Sequence, residues 1–130
     1  MALLNPYQQY QQNAVLNAGP EQLLLMLYNG AIKFINQACS CLDKNDITGT
    51  NNAIIKAQDV IIYLKDILNM NYEIARPLSS LYEYMYERLV EANIKKERLI
   101  LHETLKMIED LKNTWMEAIR ISQNKPPGQG

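Results

Sequence analysis

One histidine, His102, two cysteines two positions apart, Cys39 and Cys41, and four serines are the side chains from which this 130-residue chain could build a reactive centre. None of them has the company that chemistry requires. A single histidine cannot furnish a two-histidine metal site, and Glu103 beside it finds no second ligand at a metal-binding spacing. His102 therefore reads as a surface or boundary side chain. Cys39 and Cys41 point to different sides of a helix, so they are poorly placed to bridge or to share a metal. They read as reduced thiols. Ser40, Ser79, Ser80 and Ser122 have no histidine base at a suggestive spacing, and no glycine loop leads from a strand into a helix. Carboxylate pairs such as Glu83–Glu87 and Glu109–Asp110 are ordinary features of solvated helix faces. The expectation is a protein without catalytic residues, metal or cofactor, which works by binding another protein.

Composition narrows the kind of partner. Hydrophobic residues make up 48% and charged residues 21%, the balance of a globular chain rather than a disordered one. The formal net charge is −1, and the 13 Lys and Arg are scattered. Their densest group, Lys95, Lys96 and Arg98, is interrupted by Glu97 and reads as a solvated face, so no nucleic-acid partner is expected. Direct membrane binding is not expected either. There is no basic amphipathic helix, and the longest apolar stretch, Leu23 to Tyr28, is too short to span a bilayer. Met1 to Leu4 lack the basic start of a secretory leader, which with the unpaired thiols predicts a cytoplasmic protein.

The elements follow from apolar periodicity. After Gly19-Pro20, with proline in its favoured first helical position, Leu24, Leu27, Ala31, Phe34, Ala38 and Leu42 recur at three and four residues to about Lys44. A break is expected at Asn45-Asp46, with Gly49 close behind. A second helix from about Asn51 to Asn69 carries Ile54, Ala57, Ile61, Leu64 and Leu68. A third carries Leu78, Leu81, Tyr82, Met85, Leu89 and Ala92 and ends near Asn93. Pro77 either starts it or distorts its first turn. The fourth, from about Lys96 to Ser122, carries Leu101, Leu105, Ile108, Leu111, Trp115 and Ile119. Long helices with short loops predict an all-α fold, an antiparallel up-down four-helix bundle over residues 19–122. Residues 1–18 form an N-terminal arm, a flexible cap or short helix, and residues 123–130 a short disordered tail.

Apolar residues exceed what one core stripe needs. The first helix has a second line, Leu25, Tyr28, Ile32, Ile35 and Cys39. The second helix adds Ile55, Gln58 and Ile62, and the third adds Tyr84, Tyr86 and Val90. Wide stripes either thicken a core or leave a groove for a partner helix. Eight tyrosines against one Phe and one Trp favour the groove, because tyrosine joins an apolar body to a polar tip.

These residues resemble the flagellin-specific export chaperones, the FliS family. The resemblance rests on Asn5-Pro6-Tyr7-Gln8-Gln9-Tyr10, on Pro20-Glu21-Gln22-Leu23 leading into Leu27-Tyr28-Asn29-Gly30-Ala31-Ile32-Lys33-Phe34, and on Lys56-Ala57-Gln58-Asp59-Val60-Ile61. It continues through Leu81-Tyr82-Glu83-Tyr84-Met85 and Glu91-Ala92-Asn93 to Thr114-Trp115. Gly19 and Pro77 depart from the residues usual there, Ser and Asn. The resemblance implies a bacterial cytoplasmic chaperone that binds the C-terminal segment of flagellin, prevents early polymerisation and delivers it to the type III export apparatus. It also admits the export gate and an anti-sigma factor as partners. Under it, the groove is expected at Tyr28, Ile32, Ile55, Gln58, Ile62, Tyr82, Met85 and Tyr86, with Tyr7 and Tyr10 as a displaceable cover. Gln58 is the most telling of these, since an amide beside an apolar stripe can hold a bound backbone through donor and acceptor. The alternative is a structural or regulatory helical adaptor that self-associates, as a homodimer, or sequesters a regulator such as an anti-sigma factor.

Overall fold

In the computed structural model, which describes residues 20–123, the periodic segments form four α-helices: α1 (Pro20–Asp43), α2 (Ile47–Asp66), α3 (Ala75–Lys95) and α4 (Arg98–Gln123). There is no strand among the described residues. Each helix packs on its two neighbours around a square, α1 on α2 and α4, and α3 on α2 and α4. Short turns force successive helices to run antiparallel, giving the four-helix bundle. The arm, residues 1–18 with Tyr7 and Tyr10, and residues 124–130 of the expected tail lie outside the described residues.

Two helix starts differ from the spacing argument. α2 begins at Ile47, not near Asn51, because Asp46 caps it: its Oδ1 accepts the Gly49 N–H at 2.9 Å. Gly49 is therefore not a breaker. A Cβ there would collide with Asp46 Oδ2 and stand 2.9 Å from Cys41 Sγ, so only glycine admits the capping carboxylate. α3 begins at Ala75, two residues before Pro77. Proline in the first turn forfeits an N–H that has no intrahelical acceptor, and the ladder opens with Leu78 N–H to Ile74 O at 3.1 Å. The two turns at the opposite end use left-handed residues other than glycine, Asn45 at φ 59° and Lys96 at φ 50°. Lys96 is held there by Nζ contacts of 2.6 Å to Asn93 O and Oδ1.

The core is built from large side chains separated by alanines. Leu27 and Ile35, Ile54, Ile61 and Leu64, Met85 and Leu89, and Leu101 and Ile108 are all sealed from solvent. Each such side chain contributes roughly 1.5–3 kcal/mol through burial. Ala31, Ala38, Ala57 and Ala92 are also fully buried and let the backbones approach. On α1 the buried line is Leu27, Tyr28, Ala31, Ile35, Ala38 and Cys39, which runs between the two expected stripes. Leu24, Phe34 and Leu42 only flank it. α1's apparent second stripe is thus largely consumed by the core. α4 thins toward its end: past Ile108 no described side chain is buried, and Met116 and Ile121 are exposed. At the other end an Arg98–Asp43 ion pair ties the start of α4 to the end of α1, and Asn93 Nδ2 donates to Asn51 Oδ1 at 2.7 Å.

Candidate protein-binding groove between α2 and α3

Once the core has taken its share, the spare apolar surface concentrates on α2 and α3. Ile55, Gln58, Ile62 and Lys65 recur at three and four residues and so share one face of α2. Ile55 and Ile62 remain 42% and 41% exposed. Across from them, α3 presents Tyr82, Tyr86 and Val90 at four-residue spacing, the last two half-buried. Between the helices lies a groove of about 320 Å³, floored by Ile61, Ile62, Tyr82 and Tyr86. Its rim is charged: Lys65 and Asp66 from α2, Glu83 and Glu87 from α3. Lys65 Nζ reaches across to Glu83 Oε1 at 2.6 Å.

The expected groove residues divide into three groups. Ile62, Tyr82 and Tyr86 line the groove, and Ile55 and Gln58 continue the Ile62 stripe along α2. Tyr28 and Met85 are fully buried and support the floor from within the core. Ile32 is half-buried on α1, which packs on α2 and α4, and it does not line this groove. Spacing alone did not single out Ile61, Lys65, Asp66, Glu83 and Glu87. The available signal was their position one to five residues from Ile62, Tyr82 and Tyr86 on the same two helices.

Gln58 is distinctive electrostatically. The residue is only 8% exposed, yet its side chain makes no hydrogen bond among the described residues. A buried carboxamide left unpaired costs about 1–3 kcal/mol, so this amide holds unspent donor and acceptor capacity beside the groove.

Beneath the floor, Trp115 Nε1 donates to Tyr28 Oη at 3.0 Å, and Tyr28 Oη lies 2.5 Å from Tyr82 Oη. Trp115 thereby pins the thinly packed end of α4 to the core. Burial pushes both phenols above their ordinary value near 10. For Tyr82 the neighbouring Tyr28 adds to the rise, while for Tyr28 its bonds to Tyr82 and Trp115 oppose it. Folding therefore favours the protonated phenols, a contribution that is whole below pH 10 and lost as pH rises through the folded values. Thermal melts should show stability falling steeply above about pH 10. A Tyr28→Phe/Tyr82→Phe variant should lose that steepness; an unchanged alkaline slope would contradict the assignment.

The other candidates for chemistry are placed quietly. His102 is exposed and accepts a hydrogen bond from Arg98 Nε at 2.9 Å. Cys39 is buried, which raises its thiol above the ordinary range and leaves little thiolate for nucleophilic attack. Among the described residues no group of His, Cys, Asp and Glu could hold a metal ion, and no helix is long and apolar enough to cross a membrane.

Similarity to known proteins covers nearly the whole chain. Residues 3–122 match the family described as flagellar protein FliS. The flagellar secretion chaperone FliS of Bacillus subtilis is 42% identical over 130 residues, covering all of this chain and 98% of that protein. FliS of Salmonella typhimurium, also a flagellar secretion chaperone, is 32% identical over 109 residues, 82% of this chain and 81% of its own. Flagellar secretion chaperone FliSB of Pseudomonas aeruginosa is 32% identical over 118 residues, 88% and 94% of the two chains.

Proposed function

The chain belongs to the FliS family of flagellar chaperones, which are not enzymes, and we propose that it binds the C-terminal segment of flagellin along the α2–α3 groove. In this reading the bound segment is kept from polymerising early in the cytoplasm and is handed to the type III export apparatus. The observation that carries it is Gln58, a buried amide without a hydrogen-bond partner among the described residues, set between two exposed isoleucines on the groove stripe. An incoming helix or extended strand satisfies that amide while covering Ile55 and Ile62, so polar and apolar gains arrive together. Tyr86, half-buried, supplies flat apolar surface with few rotors to freeze, and Tyr82, almost fully buried, backs it from the core. Tyr28 and Met85 act from below by fixing the floor, and Ile32 is reached only by a segment that wraps onto α1.

A disordered segment that folds on binding gives up about 2–5 kcal/mol or more in ordering. Contact confined to one shallow groove offsets little of that, which favours a wrapped segment over a single docked helix. The arm, with Tyr7 and Tyr10, is in this reading a cover that the segment displaces. Contacts with the export gate and an anti-sigma factor belong to the same reading as secondary partners.

Calorimetric titration of the full chain with the C-terminal segment of the flagellin from the same genome tests the proposal, with circular dichroism alongside. The expected result is one-to-one binding, a gain in helicity and a negative heat-capacity change. No binding at tens of micromolar, together with a concentration-dependent dimer in sedimentation, would instead make the exposed isoleucines a self-association face.

A further inference from the structure

The groove rim carries charge that the helices do not use. Asp66, Glu83 and Glu87 stand around the floor, and among the described residues the one cation lining the groove is Lys65, committed to Glu83. Asp66 and Glu87 are both exposed and form no ion pair or hydrogen bond among the described residues. The chain as a whole is nearly balanced, with 13 Lys and Arg against 14 Asp and Glu, so the acidic bias is local to this groove.

Carboxylates at an apolar trough are solvated at little cost while the trough is empty. A purely apolar ligand would strip water from them and return nothing. A ligand with cations at its apolar edge recovers the lost solvation as charge pairs, and one with acidic edges meets like charge. We infer that the groove selects an amphipathic helical segment whose apolar stripe is bordered by Lys or Arg placed to meet Asp66 and Glu87. This rests on the flagellin reading of the groove and adds to it a charge rule for the part of the segment that docks here. Because Lys65 faces Glu83 across antiparallel helices, the two unspent carboxylates sit on opposite walls. They are offset by roughly 7.5 Å along the axis at 1.5 Å of rise per residue, which a helical ligand spans with cations about four or five positions apart.

The test titrates the full chain with the C-terminal flagellin segment at low and high NaCl. It compares the wild type with Asp66→Asn/Glu87→Gln and with Asp66→Lys/Glu87→Lys, folding being checked by circular dichroism. The wild type should bind about fivefold more weakly at high salt, and the neutralised pair about fivefold more weakly at low salt with its salt dependence lost. The reversed pair should lose about tenfold or more, and recover when the segment's matching Lys or Arg residues are changed to Glu. A neutralised pair with wild-type affinity and salt dependence would overturn the charge rule while leaving flagellin binding intact. A wild type that does not bind the segment would remove the flagellin reading itself, and the charge rule with it.

Discussion

Tyr82→Ala is expected to lower the unfolding free energy by about 3–5 kcal/mol, read as a fall in urea midpoint. Its ring is 1% exposed and belongs to both the core and the groove floor, and its oxygen pairs with Tyr28. Truncation leaves a ring-sized cavity and takes away one of the two partners of the Tyr28 hydroxyl. Against a typical total of about 5–15 kcal/mol, that is a large fraction, so lost binding in this variant would say little about the groove. Tyr82→Phe separates the two roles. It keeps the ring, leaves Tyr28 bonded to Trp115 Nε1, and should cost only about 1 kcal/mol. A Tyr82→Ala midpoint within error of the wild type would mean that this ring is not part of a closed core.

The opposite pattern is expected for Ile55→Gln combined with Ile62→Gln. Both side chains are more than 40% exposed, so each change should move stability by no more than about 0.5 kcal/mol. Glutamine is also a good helix former and adds no charge to the acidic rim. Binding of the flagellin segment, by contrast, should weaken about 30- to 100-fold, because these are the large apolar groups that a docked helix would cover. The pair thus discriminates a site from a surface. Equal affinity in wild type and variant would place the partner elsewhere on the bundle. A matched loss of stability would instead assign the isoleucines to packing.

The stripes on α2 and α3 show how far one-dimensional spacing reaches. Ile55, Gln58 and Ile62 stand out in the sequence because they repeat the helical period beside Ile54, Ala57 and Ile61, and the fold leaves both isoleucines open. The parallel argument on α1 does not carry over, since Tyr28, Ile35 and Cys39 sit in the core. Helix spacing fixes the angle between two side chains to within a face. It does not fix which angle points inward, since that depends on where the neighbouring helices lie.

The number and order of the described helices were legible in the residues, because period and punctuation are local. Family membership was legible for the same reason, as an ordered series of short segments. Three things came only with the structure, one of them local and two tertiary. Asp46 and Gly49 form one cap, so the glycine that looked like a boundary lies inside α2. Tyr28, Tyr82 and Trp115, 54 and 87 residues apart, meet in one buried hydrogen-bonded group. Asp66 and Glu87, unremarkable on their own helices and without an ion pair among the described residues, become part of the rim of a groove once α2 and α3 lie side by side. The cap is a local contact, three residues apart, whereas the other two bring together residues that local spacing leaves unrelated, and packing decides them because only packing sets which faces meet.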